Sequence, residues 1–241
     1  MVKKVFKRFK NKQGRKFWNS EYDSKKRENL AMSKRPSGDL VKFLHWANKH
    51  SGAGMILGAG SVVYDVGCGN GRNLIYLAKE FSIVGSGFDI SQEAINTAVE
   101  YSDGLSLEYV VHKMDGTIDL PDNSVDLILD MMASHFLDAA GRKLLRSEIK
   151  RVLKPGGWLF YKTFLLDEDR NAKKLLREYP AGEEGSYIHP KMGVAEHVST
   201  VDEVKEEYSK YFTIHKLLKS HNHMKNGRPN KRRSVSAYMQ L

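Results

Sequence analysis

The sequence predicts an α/β fold in which helices cover both faces of a mostly parallel sheet. Two observations indicate this fold. Short apolar runs alternate with segments of helical periodicity from about residue 61 to residue 163, and the turns between them are rich in Gly, Pro, Asp and Asn. With 241 residues, of which 41% are hydrophobic, the chain can bury the core of one domain.

Five strands are predicted in the first two thirds of the chain, at residues 61–66, 83–88, 106–111, 126–131 and 158–163. Helices are predicted at 38–50, after Ser37 as N-cap, and at 71–80, 91–101 and 139–153. Beyond residue 163 the pattern changes. Helices 169–178 and 201–210 and strands near 212–218 and 234–240 are predicted there, with at least one strand antiparallel to a neighbour.

The net charge of +10 is unevenly distributed along the chain. Residues 1–50 hold 15 Lys and Arg against four acidic residues, and residues 215–234 hold seven against none. We interpret residues 1–17 as a flexible basic arm, followed by a single domain, 18–241, that includes a basic loop at 221–233. Since basic segments can also follow a phosphate backbone, an RNA partner stays open.

Several classes of protein are excluded by composition. The one cysteine, Cys68, allows neither an intramolecular disulfide nor a zinc site built on several thiolates, and fits a reducing compartment. No apolar run is long enough to span a bilayer, and no apolar core follows the basic start as it does in a secretory signal. We therefore expect a cytoplasmic protein with no membrane association and no metal. The oligomeric state stays open.

The strongest motif follows the first predicted strand. Asp65 ends that strand region, and glycines alternate after it at Gly67, Gly69 and Gly71, directly before a helix. Glycine allows a sharp turn and a close approach of backbone to ligand, and the free amides of a helix N-terminus suit an anionic group. A dinucleotide-binding fingerprint would need its third glycine at position 72, which is Arg72.

Two further acids follow the next two strands. Asp89, before Ile90, ends the second strand twenty residues after Gly69, where a carboxylate can accept hydrogen bonds from both ribose hydroxyls. Asp115 and Gly116 follow the third strand. The position of Asp89 favours a ligand with a sugar at the carboxyl ends of the strands.

The Asp-x-Gly-x-Gly-x-Gly pattern at 65–71 resembles that of class I S-adenosylmethionine-dependent methyltransferases, and residues 153–159 resemble that family's turn before strand five. The resemblance covers about residues 60–163. It implies a Rossmann-like, seven-stranded sheet of order 3-2-1-4-5-7-6 with strand seven antiparallel, and S-adenosylmethionine as cofactor. It also implies that Asp115 accepts from the adenine amino group. The expected cofactor-binding residues are Asp65, Gly67, Gly69, Asn70, Gly71, Asn73, Asp89, Ile90, Asp115, Gly116 and Asp130.

Residues 67–78 are similar to one branch of that family, the tellurite-resistance and thiopurine methyltransferase-like proteins. Trp18 and Tyr22 resemble an aromatic segment that packs near the cofactor in that branch. This closer resemblance implies a small acceptor with a thiol or chalcogen nucleophile.

The acceptor is expected to bind beyond strands four and five, near Asp130 and Lys162, under an insertion at about residues 165–199. His135, His189 and His197 are candidate catalytic residues on this side, with packed or surface histidines as the alternative. We expect methyl transfer by direct displacement to a small molecule. Methylation of RNA or a ribonucleoprotein, guided by the basic segments, is the alternative, and a non-enzymatic cofactor-fold protein is a third possibility.

Overall fold

The computed structural model describes residues 12–23, 33–52, 55–220, 224–225, 228–229 and 232–241. Its helices are α1 (Lys12–Glu21), α2 (Gly38–His50), α3 (Arg72–Phe81), α4 (Gln92–Tyr101), α5 (Ala139–Val152), α6 (Arg170–Glu178) and α7 (Val201–Tyr208). Its strands are β1 (Val62–Val66), β2 (Val84–Asp89), β3 (Leu107–Val111), β4 (Val125–Met131), β5 (Leu153–Phe164), β6 (Ser186–Ile188), β7 (Ala195–His197), β8 (Thr213–Lys219), β9 (Met224–Lys225), β10 (Arg228–Pro229) and β11 (Ser234–Gln240).

Seven strands form the central sheet, in the order β3-β2-β1-β4-β5-β11-β8. The pairs from β3 to β5 are parallel, whereas β11 is antiparallel to both β5 and β8. The predicted strand order 3-2-1-4-5-7-6, with strand seven antiparallel to its neighbours, is therefore confirmed; β11 is strand seven and β8 is strand six. Because parallel strands end at the same edge, the turns after β1, β2 and β4 meet on one side of the sheet.

Side chains that alternate between the two faces of the sheet form two hydrophobic cores, one on each face. Leu127 and Leu129 in β4 are buried on the face covered by α2 and α3, whereas Ile128 is buried on the opposite face with α5 and α7. Successive side chains of a strand point to opposite faces, so a central strand needs apolar residues at every position. The predicted three-layer arrangement is confirmed.

Two element boundaries differ from the prediction for identifiable reasons. β5 begins at Leu153 because this residue pairs with Val125, and the register then shifts so that Trp158 pairs with Leu127. α1 begins at Lys12, so residues 12–17 of the expected flexible arm are helical. Residues 1–11 lie outside the described part of the chain.

The expected insertion contains α6 and a small hairpin of β6 and β7. Ser186 pairs with His197, Tyr187 with Glu196, and Ile188 with Ala195. Paired residues share a face and neighbouring pairs alternate, so the Tyr187–Glu196 pair faces away from the other two pairs. The hairpin therefore presents two chemically different faces.

Most of the expected basic loop at 221–233 lies outside the described residues. Within it, β9 pairs antiparallel with β10. No helix in the described part of the chain has both the length and the apolar character needed to cross a membrane.

Candidate functional site

A cavity of about 740 Å³ lies at the carboxyl ends of the central strands. Its floor is formed by the turns after β1, β2 and β4, and Trp18 of α1 and Tyr22, which directly follows α1, also line it. Residues of the β6–β7 hairpin line the opposite wall. The wall residues on that side are Ala181, Gly182, Glu183, Ser186, Ile188, Val194, Ala195 and His197.

The glycine turn brings backbone close to this cavity. Gly67 has φ +69° and Gly69 has φ +56°, a region that residues with a Cβ rarely adopt. A Cβ at Gly67 would lie 2.7 Å from the Cβ of Ala133, and one at Gly69 would collide with the Tyr22 hydroxyl. Both positions therefore need glycine for conformation and for space.

Asp65 lines the cavity with an unpaired carboxylate oxygen. The residue is 2% exposed, and its Oδ2 accepts no hydrogen bond from the described residues. Burial, reinforced by the nearby Asp89 carboxylate, raises the pKa of Asp65 well above its ordinary value. A cationic or hydrogen-bond-donating ligand group would satisfy this oxygen.

Asp89 lies at the end of β2 and also lines the cavity. Its Oδ2 accepts a hydrogen bond from the Gly69 amide over 3.1 Å, and its Oδ1 accepts one from the Ser91 amide over 2.9 Å. Burial raises the pKa of Asp89 even though these amides favour the ionised form. Ile90 lines the cavity beside it.

Two expected cofactor contacts, Asn70 and Asn73, line the cavity but use their amides elsewhere. The Asn70 Nδ2 donates to the Ser33 carbonyl over 3.1 Å, and the Asn73 Oδ1 accepts from the Ser37 amide over 3.0 Å. These two side chains therefore hold the segment 33–37, which precedes α2, at the rim of the cavity by hydrogen bonds.

Four expected cofactor residues do not line the cavity. Asp115 is exposed, and its Oδ1 accepts from the Thr117 amide and hydroxyl, which lowers its pKa. Gly116 packs against the backbone of α5, and Gly71 is the N-cap of α3. The neighbours Lys113 and Met114, which the sequence did not suggest, line the cavity instead.

Asp130 is the fourth of these residues and lies fully buried below the floor. Its Oδ1 accepts from the Ser134 amide over 3.1 Å, and its Oδ2 has no partner among the described residues. Burial raises the pKa of Asp130 to about 6. This placement indicates a role in shaping the turn after β4 and differs from the expected direct contact.

The three candidate catalytic histidines occupy different environments. His135 is buried outside the cavity lining, and burial lowers its pKa well below the ordinary value. The His189 Nδ1 faces the amides of Lys191 and Met192 at 3.3 Å, and His189 does not line the cavity. His197 alone of the three lines it, with Ser186 and Glu203 at hydrogen-bond distance.

The acceptor side expected near Lys162 is an apolar chamber with a few charged groups. Trp18 and Phe136 meet edge to face at 5.8 Å, beside Leu137, Ile188 and Val194. Lys162 lines the cavity, with its Nζ 2.5 Å from the Asp39 carboxylate. Glu183 also lines it and was not foreseen, since nothing in the stretch Gly182-Glu183-Glu184-Gly185 distinguishes one acid from the other.

Comparison with known proteins decides the family of this fold. Residues 63–157 match the family model described as a methyltransferase domain. Residues 63–157 are a methyltransferase domain, and the fold is that of the class I S-adenosylmethionine-dependent methyltransferases. The matched region includes the glycine turn, β2, β3 and β4 of this methyltransferase, which together form the floor of the cavity.

Curated relatives match part of the methyltransferase chain. A fatty-acid O-methyltransferase of Mycolicibacterium smegmatis is 31% identical over 113 residues, which is 46% of this chain and 40% of the relative. Phosphoethanolamine N-methyltransferase 1 of Arabidopsis thaliana is 33% identical over 135 residues, 56% of this chain and 25% of the relative. The chain thus spans less than half the length of either of these relatives.

Solved structures share the fold of the methyltransferase over most of its length. A methyltransferase from Methanosarcina mazei is 25% identical, with a TM-score of 0.64, over 77% of this chain and 94% of its own. The N-methyltransferase NodS from Bradyrhizobium japonicum, solved with S-adenosylhomocysteine, has a TM-score of 0.64 at 13% identity and covers 95% of this chain and 98% of its own. These matches show the shared fold and do not specify the tellurite-resistance and thiopurine branch.

Proposed function

We propose that this protein transfers the methyl group of S-adenosylmethionine to a small molecule bound on the acceptor side of the cavity. The observation that carries the proposal is that one cavity joins the glycine turn and its two acids, Asp65 and Asp89, to an apolar chamber. Bound S-adenosylmethionine supplies an electrophilic methyl group on a sulfonium. The protein then has to hold an acceptor atom in line with that group and exclude water.

The residues at the floor fit the cofactor. The unpaired Oδ2 of Asp65 suits the ammonium of its amino-acid part, and the Asp89 carboxylate, held by the Gly69 and Ser91 amides, suits its ribose hydroxyls. The amides at the start of α3 suit its carboxylate, because Gly71 caps that helix without a side chain. Lys113 and Met114 lie where β3 ends and border the space left for the base.

Closure of the cavity supports a small acceptor. α1 and Tyr22, which follows it, cover the glycine turn. The Tyr22 hydroxyl lies against Gly69, and the Ser91 hydroxyl donates to the Oδ1 of Asn19 in α1 over 2.8 Å. The hairpin closes the other side, where Val194 approaches Gly14 of α1. A chamber walled by α1 and the hairpin suits a molecule that can be enclosed.

The finer hypothesis of a thiol or chalcogen acceptor rests on the similarity of residues 67–78 to one branch of the family. Met131 and Met132 line the cavity and offer polarizable surface for such a nucleophile. RNA methylation remains the alternative function, resting on the charge of residues 1–50 and 215–234. Residues 1–11 and most of 221–233 lie outside the described part of the chain, so this alternative rests on sequence alone.

An acceptor screen tests the proposed function. The purified protein is incubated with S-adenosylmethionine and sets of hydroxyl, amine, thiol and selenite or tellurite compounds, or with total RNA, and S-adenosylhomocysteine is quantified. Production that depends on a small molecule and is unaffected by ribonuclease supports the proposal. Production only with RNA, and strongly reduced by raised salt, would favour the alternative.

A further inference from the structure

Glu183 is held rigidly at the wall of the acceptor chamber. Its Oε1 accepts from the Arg142 Nη1 over 2.6 Å and from the Ser186 hydroxyl over 2.7 Å, and its Oε2 accepts from the Ala139 amide over 2.8 Å. A carboxylate offers about four lone-pair sites, so these bonds leave one acceptor site open, on Oε2. The side chain is 26% exposed and lines the cavity.

The charge of this carboxylate follows from its partners. Burial by itself would raise the pKa of Glu183, but the hydrogen bonds from Arg142, Ser186 and the Ala139 amide outweigh it, so the pKa lies below its ordinary value. Ala139 is the first residue of α5, and a helix N-terminus also stabilises an anion. Glu183 is therefore a carboxylate at neutral pH.

His197 supports Glu183 through Ser186. The Ser186 hydroxyl lies 2.7 Å from the Glu183 Oε1 and 2.9 Å from the His197 Nδ1, and the His197 Nε2 lies 2.7 Å from the Glu203 Oε1. The pKa of Glu203 is also lowered, since the hydrogen bond and charge of His197 outweigh burial.

Both ring nitrogens of His197 lie within hydrogen-bond distance of a side chain, Nδ1 of the Ser186 hydroxyl and Nε2 of the Glu203 carboxylate. His197 is accordingly a positioning residue, which fixes Ser186 and through it the orientation of Glu183. The group on this wall that can accept a proton from an acceptor is the Glu183 carboxylate.

We propose that Glu183 is the acceptor-side base, and that the acceptor is a phenol-like hydroxyl compound whose apolar body packs against Trp18 and Phe136. This inference rests on the proposed methyl transfer. An O–H group is a strong hydrogen-bond donor to a carboxylate, whereas S–H is a weak one. An amine that has to attack as the neutral form gains nothing from a nearby carboxylate, which favours its protonated form.

The step balances in atoms and charge. The hydroxyl oxygen of the acceptor forms a bond to the methyl carbon, the methyl–sulfur bond breaks with its electron pair going to sulfur, and the hydroxyl proton passes to the Glu183 Oε2. The positive charge of the sulfonium and the negative charge of the Glu183 carboxylate are both neutralised in this step. An apolar chamber favours such a reaction, because charges are poorly solvated there in the starting state.

The test uses three probes with the same apolar body: 4-butylphenol, 4-butylbenzylamine and 4-butylthiophenol. We expect kcat/KM for the phenol to exceed that for the amine at least tenfold. The thiophenol ionises at neutral pH without a base, so the loss of kcat in Glu183→Gln should be at least tenfold smaller for it than for the phenol. Glu183→Gln keeps the shape of the side chain, and we expect it to lower kcat for the phenol about a hundredfold while the Kd of S-adenosylhomocysteine stays within twofold. Glu184→Gln is the matched control, because its exposed side chain does not line the cavity and kcat should not change.

Other outcomes overturn the inference. Preference for the amine, absence of phenol turnover by protein that binds S-adenosylhomocysteine, equal losses of kcat for the phenol and the thiophenol in Glu183→Gln, or an undiminished kcat for the phenol in that variant would each do so. Ser186→Ala serves as a second variant if Glu183→Gln fails to fold. Loss of the Ser186 hydroxyl should lower kcat for the phenol, and an unchanged kcat would count against the inference. Failure of the wild type to bind S-adenosylhomocysteine would instead overturn the proposed function.

Discussion

The Asp89 carboxylate accepts a hydrogen bond from the backbone amide of Gly69 over 3.1 Å. This contact joins the carboxyl ends of β1 and β2 and holds the glycine turn open toward the cavity. The two residues are twenty positions apart in the chain, and β1 and β2 are parallel neighbours in the sheet. Asp89 therefore holds the glycine turn in place and also presents its carboxylate to the ligand.

Asp89→Ala should weaken cofactor binding at least thirtyfold, because it removes both the ribose partner and the anchor of the Gly69 amide; a charged hydrogen bond contributes roughly 1.5–3 kcal/mol. Equilibrium dialysis with labelled S-adenosylmethionine measures the effect. Asp115→Ala is the matched control, since that exposed carboxylate bonds to Thr117 and does not line the cavity. We expect its Kd to change less than threefold, and an equal loss in both variants would contradict the site as described.

The parts of the fold that were predictable depend on local pattern. The alternation of apolar runs with helical segments predicts the α/β sheet, and the glycines at 67, 69 and 71 predict the turn. The sheet order is implied by the family resemblance that this motif carries. The register shift at Trp158 and the helical state of residues 12–17 could not be predicted, because they depend on pairing with Val125 and on packing against the hairpin. Contacts between distant segments leave no periodic signal.

The same division applies to the candidate site. Asp65 and Asp89 are identified by a motif whose spacing reflects ligand geometry. Glu183 is not, because its role follows from partners 41 and 44 positions away, Arg142 and Ala139. Asp115 is the opposite case: the motif predicts a cofactor contact there, whereas its Oδ1 accepts hydrogen bonds from Thr117 and the residue does not line the cavity.

The buried His135 should be dispensable. Its ring nitrogens have no hydrogen-bond partner among the described residues, and it packs beside Phe136 and Phe164 with ring centroids at 4.1 and 5.1 Å. Replacing an unpaired buried polar group by an apolar one of similar shape is nearly neutral or stabilising. His135→Phe should thus keep the free energy of unfolding in urea within about 1 kcal/mol and leave the Kd of S-adenosylhomocysteine unchanged.

His197→Phe is the comparison for that experiment. It removes the hydrogen bonds to Ser186 and Glu203 and leaves the partly buried Glu203 carboxylate with only the long hydrogen bond from the Thr200 amide, so we expect a loss of about 1–3 kcal/mol. Comparable losses for His135→Phe and His197→Phe would show that His135 has a partner in solution.

Asp130 should make stability depend on pH. Its pKa is about 6 in the folded protein, against about 3.9 in an unfolded chain. An acid with a raised folded-state pKa contributes stability below its unfolded value, and this contribution is lost as the pH rises through 6. Asp130→Asn still accepts from the Ser134 amide and should gain stability relative to the wild type between pH 4 and pH 7, by up to about 3 kcal/mol.

Urea unfolding at pH 4, 5, 6 and 7 measures this difference. Asp202→Asn is the control, because the Asp202 side chain is 93% exposed and its substitution should give a nearly constant offset. A difference between Asp130→Asn and wild type that does not change across this range would contradict the raised pKa.

The pair of Arg232 and Glu196 should anchor the hairpin to the end of the basic segment. The Arg232 Nη1 donates to the Glu196 Oε2 over 2.8 Å, and the guanidinium stacks on Phe164 at 3.2 Å. Glu196 is 1% exposed, so Arg232→Met leaves a buried carboxylate with one hydrogen bond, from the Tyr187 hydroxyl, and with the His135 Nε2 at 3.9 Å. We expect a loss of about 3–5 kcal/mol.

The double variant Arg232→Met with Glu196→Gln should recover a large part of this loss, because it removes the unpaired charge. Arg177→Met is the surface control. The Arg177 side chain is 76% exposed, and its pair with Glu178 should contribute less than about 1 kcal/mol. A double variant no more stable than Arg232→Met would contradict the account of a buried charge pair.

Binding of the cofactor tests the central claim most directly. Isothermal titration of the wild-type protein with S-adenosylmethionine and S-adenosylhomocysteine should give one site per chain with micromolar Kd values for both. Absence of measurable heat and of competition in the dialysis assay would contradict the assignment of the cavity, and with it the proposed methyl transfer.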